Sequence, residues 1–298
     1  MTLANRSGAP PSVTLPTTRQ PAQTSLKDYA MLVYGVGPGI GCSSLLASIQ
    51  HYLDKQDTKE KGKVLYIDCD PSQSMMAHSN YRVSPKDWKE FLDYCKLAVI
   101  SPDFAYICID HLHAAYEWSW DVSCDKWGVT HPSEAGAQGR GDMGKTWGNF
   151  TKDYMTPISH LMAECRRAGK GFVASCRSVN SQVSFKGTTY NLWVPSFIGG
   201  SARSTYARIV DLFPLIGFIH LEGVSAPPTK MTDVKVVDLR AAAGPQELQE
   251  ARVLNFNKGK HWEAKDRSRR FKEPITLPED YREDWALIQD IWERGEEK

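Results

Sequence analysis

The chain has almost no net charge: 36 lysines and arginines stand against 35 aspartates and glutamates, giving +1 over 298 residues. With no field from the whole protein to draw it, nucleic acid must be held by a local patch if it is held at all. Apolar runs never approach the 18 or so residues of a membrane span, and no secretory apolar region opens the chain, so a soluble, intracellular protein is expected. The seven cysteines are an odd, scattered set without C-x-x-C spacing, which predicts free thiols in a reducing compartment. Residues 1–26 contain no acidic residue and no periodicity but much Pro, Ser and Thr, the composition of a disordered tail. There is no internal repeat, and nothing requires a second domain.

What is present begins at residue 31, where MLVY runs into GVGPGIGCSS (35–44). This reads as a strand entering a glycine-rich phosphate loop, in which backbone N–H groups and the following helix N-terminus surround an anion. Gly37, Pro38, Gly39, Ile40, Gly41, Cys42, Ser43 and Ser44 are the candidate nucleotide-binding residues, with Ser43 as the hydroxyl ligand of Mg²⁺. Leu45, Leu46, Ile49, Tyr52 and Leu53 give the next helix a buried face. One residue is out of place. Cys42 occupies the position where such loops carry lysine, and Val36 stands at the first motif position, although Gly35 precedes it. A strand-to-helix turn without a ligand is the plain alternative.

Two further strands end in acids. YICIDHLHAAYEW (106–118) delivers Asp110, which is placed to hold Mg²⁺ opposite Ser43 or, more simply, to cap the following helix. KVLYIDCDP (63–71) delivers Asp68 and Asp70 to the same carboxyl edge, where ligands bind in open α/β sheets. Asp70 is a candidate to orient or deprotonate an attacking water, or else an ordinary turn opener before proline.

The periodicity predicts strands at 30–34, 63–68, 106–110, 171–175 and 215–221, with hairpin strands near 234–239 and 252–255. Helices are expected at 43–53, 85–97 and 147–168, the last kinked at Pro157. Strands alternating with helices imply βαβ units and a mostly parallel central sheet flanked by helices, an α/β fold with a C-terminal β-hairpin extension. Residues 123–146, rich in glycine, predict a mobile loop. An acidic segment, 278–298, places Trp285, Ile288, Ile291 and Trp292 on one side of a helix.

In this order, the loop, the acidic strand, the stretch GKTWGNFTKDYMTPISHLMAECRRAGKG followed by FVASCRS, and the segments WVPSFIGGSARSTYARIVDLF and RVLNFNKGKHWEAKDR carry a resemblance. Over residues 29–277 the chain resembles phage-encoded RecA-like P-loop ATPases of the single-strand annealing and recombination class, small AAA-type nucleotide-binding proteins of tailed phages. The resemblance implies a RecA-like P-loop NTPase core at 27–277 that binds ATP and Mg²⁺. It also implies a DNA-dependent ATPase, a ring or filament of identical subunits on single-stranded DNA, an accompanying single-strand-binding or other recombination protein, and a location in the cytoplasm of an infected bacterial host. Asp110 becomes the acidic strand residue, Asp70 the catalytic carboxylate, and residues 175–178 the polar sensor end of a strand.

Two departures fall at the phosphate end of that site. Family members carry lysine where Cys42 stands, and the sensor cluster usually contains His or Gln where this chain reads Ser175-Cys176-Arg177-Ser178. A neutral thiol adds no positive charge at the phosphates and a thiolate repels them. Loss of such a clamp lowers hydrolysis by roughly 10²-fold or more unless Arg177, Lys145, Arg203 or Arg208 substitutes. A reactive thiol at the helix N-terminus is a further reading of Cys42.

For DNA, the best patch is 252–272, where Arg252, Lys258, Lys260, Lys265, Arg267, Arg269, Arg270 and Lys272 surround Phe256, His261, Trp262 and Phe271, against acidic Glu263 and Asp266. Cations among aromatics suit a single strand, and a solvated hairpin fits the same composition; the resemblance favours DNA. A pseudo-ATPase used as a DNA-binding scaffold, and a phosphate-loop kinase acting on a small acceptor, remain as alternatives.

Overall fold

The computed structural model describes residues 25–37, 39–56, 62–70, 81–130, 145–185, 188–197, 205–224 and 249–295. Strand β1 (Met31–Gly35) is buried at all five positions, which requires cover on both faces. The sheet supplies it. Parallel β1 lies between β5 (Gly171–Cys176) and β8 (Leu215–Val224), and the row continues through β4 (Phe104–Asp110) and β2 (Lys63–Asp68) to the short β3 (Arg82–Val83). Beyond β8 the pairing turns antiparallel, with β9 (Gln249–Asn255), β10 (Lys265–Asp266) and β11 (Ile275–Thr276) completing a nine-stranded sheet among the described residues.

Side chains alternate between two cores, as the two-residue period of a strand dictates. Leu32 and Tyr34 join one cluster, packed by α2 (Trp88–Ile100), α3 (Leu112–Trp127), α4 (Lys145–Arg167) and α5 (Thr205–Leu212). Met31 and Val33 face the other, beneath α1 (Cys42–Lys55) and α6 (Asp284–Arg294). Helix α6 docks on its own domain: Trp285, Ile288 and Trp292 are buried, and the Trp285 N–H donates to Ser48 Oγ of α1 at 3.1 Å. The apolar stripe read from the sequence is therefore part of the core. No helix among the described residues is long and apolar enough to cross a membrane.

Some expectations change. Residues 123–127 are the end of α3 and 145–146 the start of α4, so both ends of the expected loop are helical, and 131–144 lie outside the described residues. Helix α4 includes Pro157 within its length. An antiparallel hairpin, β6 (Ser178–Phe185) with β7 (Thr188–Pro195), follows β5 and was not foreseen. Residues 1–24 and the expected strand at 234–239 also lie outside the described residues.

Candidate functional site

The loop after β1 owes its shape to glycines in a backbone region that side chains rarely enter. Gly37, Gly39 and Gly41 have φ of 78°, 80° and 103°. Gly41 is the N-cap of α1 and no side chain caps that end, so the first-turn N–H groups are left for an anion. Two bonds pin the loop's entry: Ser178 Oγ donates to the Gly35 carbonyl at 2.7 Å, and the Val36 N–H donates to Ile219 O at 3.2 Å. Over the loop opens a cavity of about 690 Å³. Gly37, Gly39, Ile40, Gly41, Cys42, Ser43 and Ser44 line it from the loop side, and His111, Ser175, Arg177 and Ser178 from the ends of β4 and β5. Pro38 lies outside the described residues.

Asp110 is just below that floor, 1% exposed. Its two oxygens accept from separate hydroxyls, Tyr66 Oη at 2.6 Å and Ser175 Oγ, and the His111 N–H in turn donates to Ser175 Oγ at 2.9 Å. Burial and the Asp110 charge push the Tyr66 hydroxyl well above its ordinary range, which keeps it a donor. The capping alternative does not hold, because His111 is the N-cap of α3 and no side chain caps that helix. Strand β5, inserted between β1 and β4, is what brings Ser175 to Asp110.

Cys42 is half-buried at the first position of α1. Burial, followed by the nearby Asp110 charge, pushes its thiol up to about 12, so it is neutral at pH 7. The reactive-thiol reading fails on this point, since desolvation outweighs the helix N-terminus. Arg177 lines the cavity, but its Nη2 donates to Asp70 Oδ2 at 2.5 Å. The predicted catalytic pair Asp70 and Arg177 is thus brought together, each neutralising the other at the cavity mouth. Arg208 is half-buried in α5 away from the cavity lining, Arg203 lies outside the described residues, and Lys145 begins α4.

A family model described as an AAA domain matches residues 27–268. The chain belongs to the AAA domain family. Comparison with curated proteins gives no match. Membership makes this a P-loop nucleotide-binding protein of AAA type.

Asp284 and Tyr281, beyond the matched residues, were not singled out from the sequence, and Arg252 was read there only as part of the basic patch. Arg252 on β9 reaches beneath the loop, where a Cβ at Gly41 would come within 2.6 Å of its Nη1. Its guanidinium forks onto Asp284 at 3.0 and 2.9 Å, and Nη2 also donates to the Pro278 carbonyl at 2.7 Å. Asp284 is 0% exposed, and burial, opposed by Arg252, raises its carboxyl to about 6. Tyr281, from the turn before α6, lines the cavity and meets His51 of α1 edge-on. No local pattern marks these; they are joined only by the fold.

His113, on the first turn of α3, accepts the Arg177 N–H on Nδ1 at 3.4 Å. Burial first, then His111 and Arg177, hold its imidazole down to about 4. The folded protein therefore keeps His113 neutral while the unfolded chain takes up a proton below about pH 6.5, so this contribution is lost as pH falls from about 6.5 towards 4. A His113→Gln variant is expected to lose about 2 kcal/mol less stability than the unaltered protein between about pH 7 and 5, read from urea midpoints.

The basic segment is less available in the AAA domain than its composition suggests. Phe256 and Phe271 stack on each other, 4.2 Å between centroids, and are 1% and 2% exposed, so neither can receive a base. Trp262 is half-buried against Phe218 and His220 and donates from its indole to Asn257 O. Lys265 caps the end of α5 by donating to the Val210 carbonyl, and Arg270 lies 4.3 Å over the Trp292 ring. Lys258 pairs with Glu263 at 2.8 Å while remaining largely exposed. Lys260, Arg267 and Arg269 are exposed, Arg269 in a left-handed turn with φ of 62°.

Proposed function

We propose that this chain is a RecA-like nucleotide-binding protein that acts on single-stranded DNA in phage recombination, annealing or replication, with ATP hydrolysis weakened at Cys42. The observation that carries the reading is the phosphate loop, complete in its left-handed glycines and open helix N-terminus, facing a buried acidic strand end. Placement of β5 between the loop strand and the acidic strand supports it, because Ser175 then couples the sheet's floor to the cavity.

ATP and Mg²⁺ fit the donors present. The loop offers uncapped N–H groups to phosphate oxygens, and Ser43 with Asp110 would hold Mg²⁺, a hard ion that takes oxygen ligands. When bound, the ion withdraws charge from the phosphates. Asp70 is the group to orient water, and doing so requires Arg177 to release it towards the phosphates. The exposed cations Lys258, Lys260, Arg267 and Arg269 are the candidate DNA contacts, through phosphates and not through base stacking. Subunits assembled on DNA could bring an arginine to the cavity in place of the missing lysine.

A second reading, a pseudo-ATPase serving as a DNA-binding scaffold, is favoured by the neutral Cys42 and by the engagement of Arg177 with Asp70. ATP binding and hydrolysis, each with and without single-stranded DNA, separate the two. Cys42→Lys is expected to raise Mg²⁺-dependent hydrolysis by roughly 10²-fold or more. If neither chain binds nucleotide, the scaffold reading replaces the ATPase.

A further inference from the structure

Asp68 and Asp110 are register partners at the ends of adjacent parallel strands, β2 and β4. They are 3% and 1% exposed, and among the described residues no lysine or arginine lies within ion-pair distance of either. Two carboxylates in so dry a place repel each other unless a proton or a cation is shared between them.

The next residue, His111, points to a cation. It is 8% exposed, and among the described residues its buried Nδ1 has no hydrogen-bond partner, lying 3.9 Å from Asp110 Oδ1. A buried imidazole nitrogen without a partner is costly, which gives it reason to have one. The backbone of His111 is left-handed, φ 61°, an uncommon state for a residue with a side chain. One ligand atom from each of Asp68, Asp110 and His111 lies within 4.8 Å of the others.

We infer that Asp68, Asp110 and His111 form a divalent transition-metal site in the floor of the cavity, assembled by the protein without nucleotide. Two carboxylates with one imidazole suit Mn²⁺ or Zn²⁺ better than Mg²⁺, which prefers oxygen alone. Tyr66 and Ser175 act as orienting partners, fixing Asp110 by donating to both its oxygens while leaving lone pairs for the ion. His111 also lines the cavity, so open coordination positions would face whatever occupies it. Asp110 is common to this site and to the nucleotide's Mg²⁺, but the other ligands differ: Asp68 and His111 here, Ser43 there.

The test is calorimetric titration of the nucleotide-free full chain with Zn²⁺, and with Mn²⁺ followed by electron paramagnetic resonance. One equivalent is expected to bind, at least about tenfold more weakly in His111→Gly and in Asp68→Asn, and unchanged in Ser43→Ala. Glycine tolerates the left-handed backbone and asparagine removes a buried charge, so both variants keep their folds, which circular dichroism checks. Absence of binding without nucleotide, or unchanged affinity in His111→Gly, overturns the site and leaves a shared proton to explain the pair. ATP binding is measured separately, so failure here is distinct from failure of the nucleotide reading.

Discussion

Arg252→Ala is expected to destabilise the fold by about 3–5 kcal/mol, because it strands Asp284 as an unpaired carboxylate at a fully buried position. The cost should depend on pH in a defined sense. The folded-state pKa of Asp284 is raised, to about 6 from an ordinary 3.8, so its contribution to stability is full below about 3.8 and is lost as pH rises through about 6. Removing the guanidinium raises that pKa further, so the extra loss appears above about pH 6 and shrinks below it. Guanidinium denaturation at about pH 5 and 8 reads this directly. Combining Arg252→Ala with Asp284→Asn should recover most of the loss at the higher pH, since the stranded charge is then gone. Equal midpoints for Arg252→Ala and the unaltered protein at about pH 8 would sink the prediction.

Trp285→Ala is expected to cost a similar amount, about 3–5 kcal/mol, by opening a cavity between α6 and the sheet. The indole is 1% exposed and meets Tyr106 of β4 edge-on. Its loss loosens the helix whose own N–H is bonded to Ser48 of α1, so the phosphate-loop helix loses support along with the core. Because Trp285 and Asp284 are neighbours on one helix, the two losses should be less than additive when Arg252→Ala is combined with Trp285→Ala. Denaturation midpoints of both single variants and the double variant provide the check.

The central strands were legible because burial on both faces leaves near-continuous apolar runs, as in MLVY and YICI, and the alternating helices fixed their parallel pairing. Asp110 was legible for the same reason: a polar residue ending such a run marks the sheet edge. The hairpin β6–β7 escaped notice because SVNSQVSF is largely polar, so turn and strand look alike. Phe256 and Phe271 misled in the opposite direction. Interleaved with cations along the chain, they resembled an exposed platform, yet in the segments between strands they stack on each other and are buried. The Arg252–Asp284 pair was invisible, since 32 residues separate its partners and only the antiparallel run of β9 beside β8 carries the arginine under the loop.

The position of β1 has a consequence for biosynthesis. This apolar strand is made well before its two neighbours, residues 171–176 and 215–224, and its far-side cover includes α6. At typical synthesis rates the nascent strand waits on the order of ten to thirty seconds for both partners, with its hydrogen-bonding edges unmatched. Such edges pair readily with other chains. Recovery of native protein in a cell is therefore governed by how well β1 is sheltered during translation, and the phosphate loop at its end takes its supported form only after the residues beyond 278 have emerged.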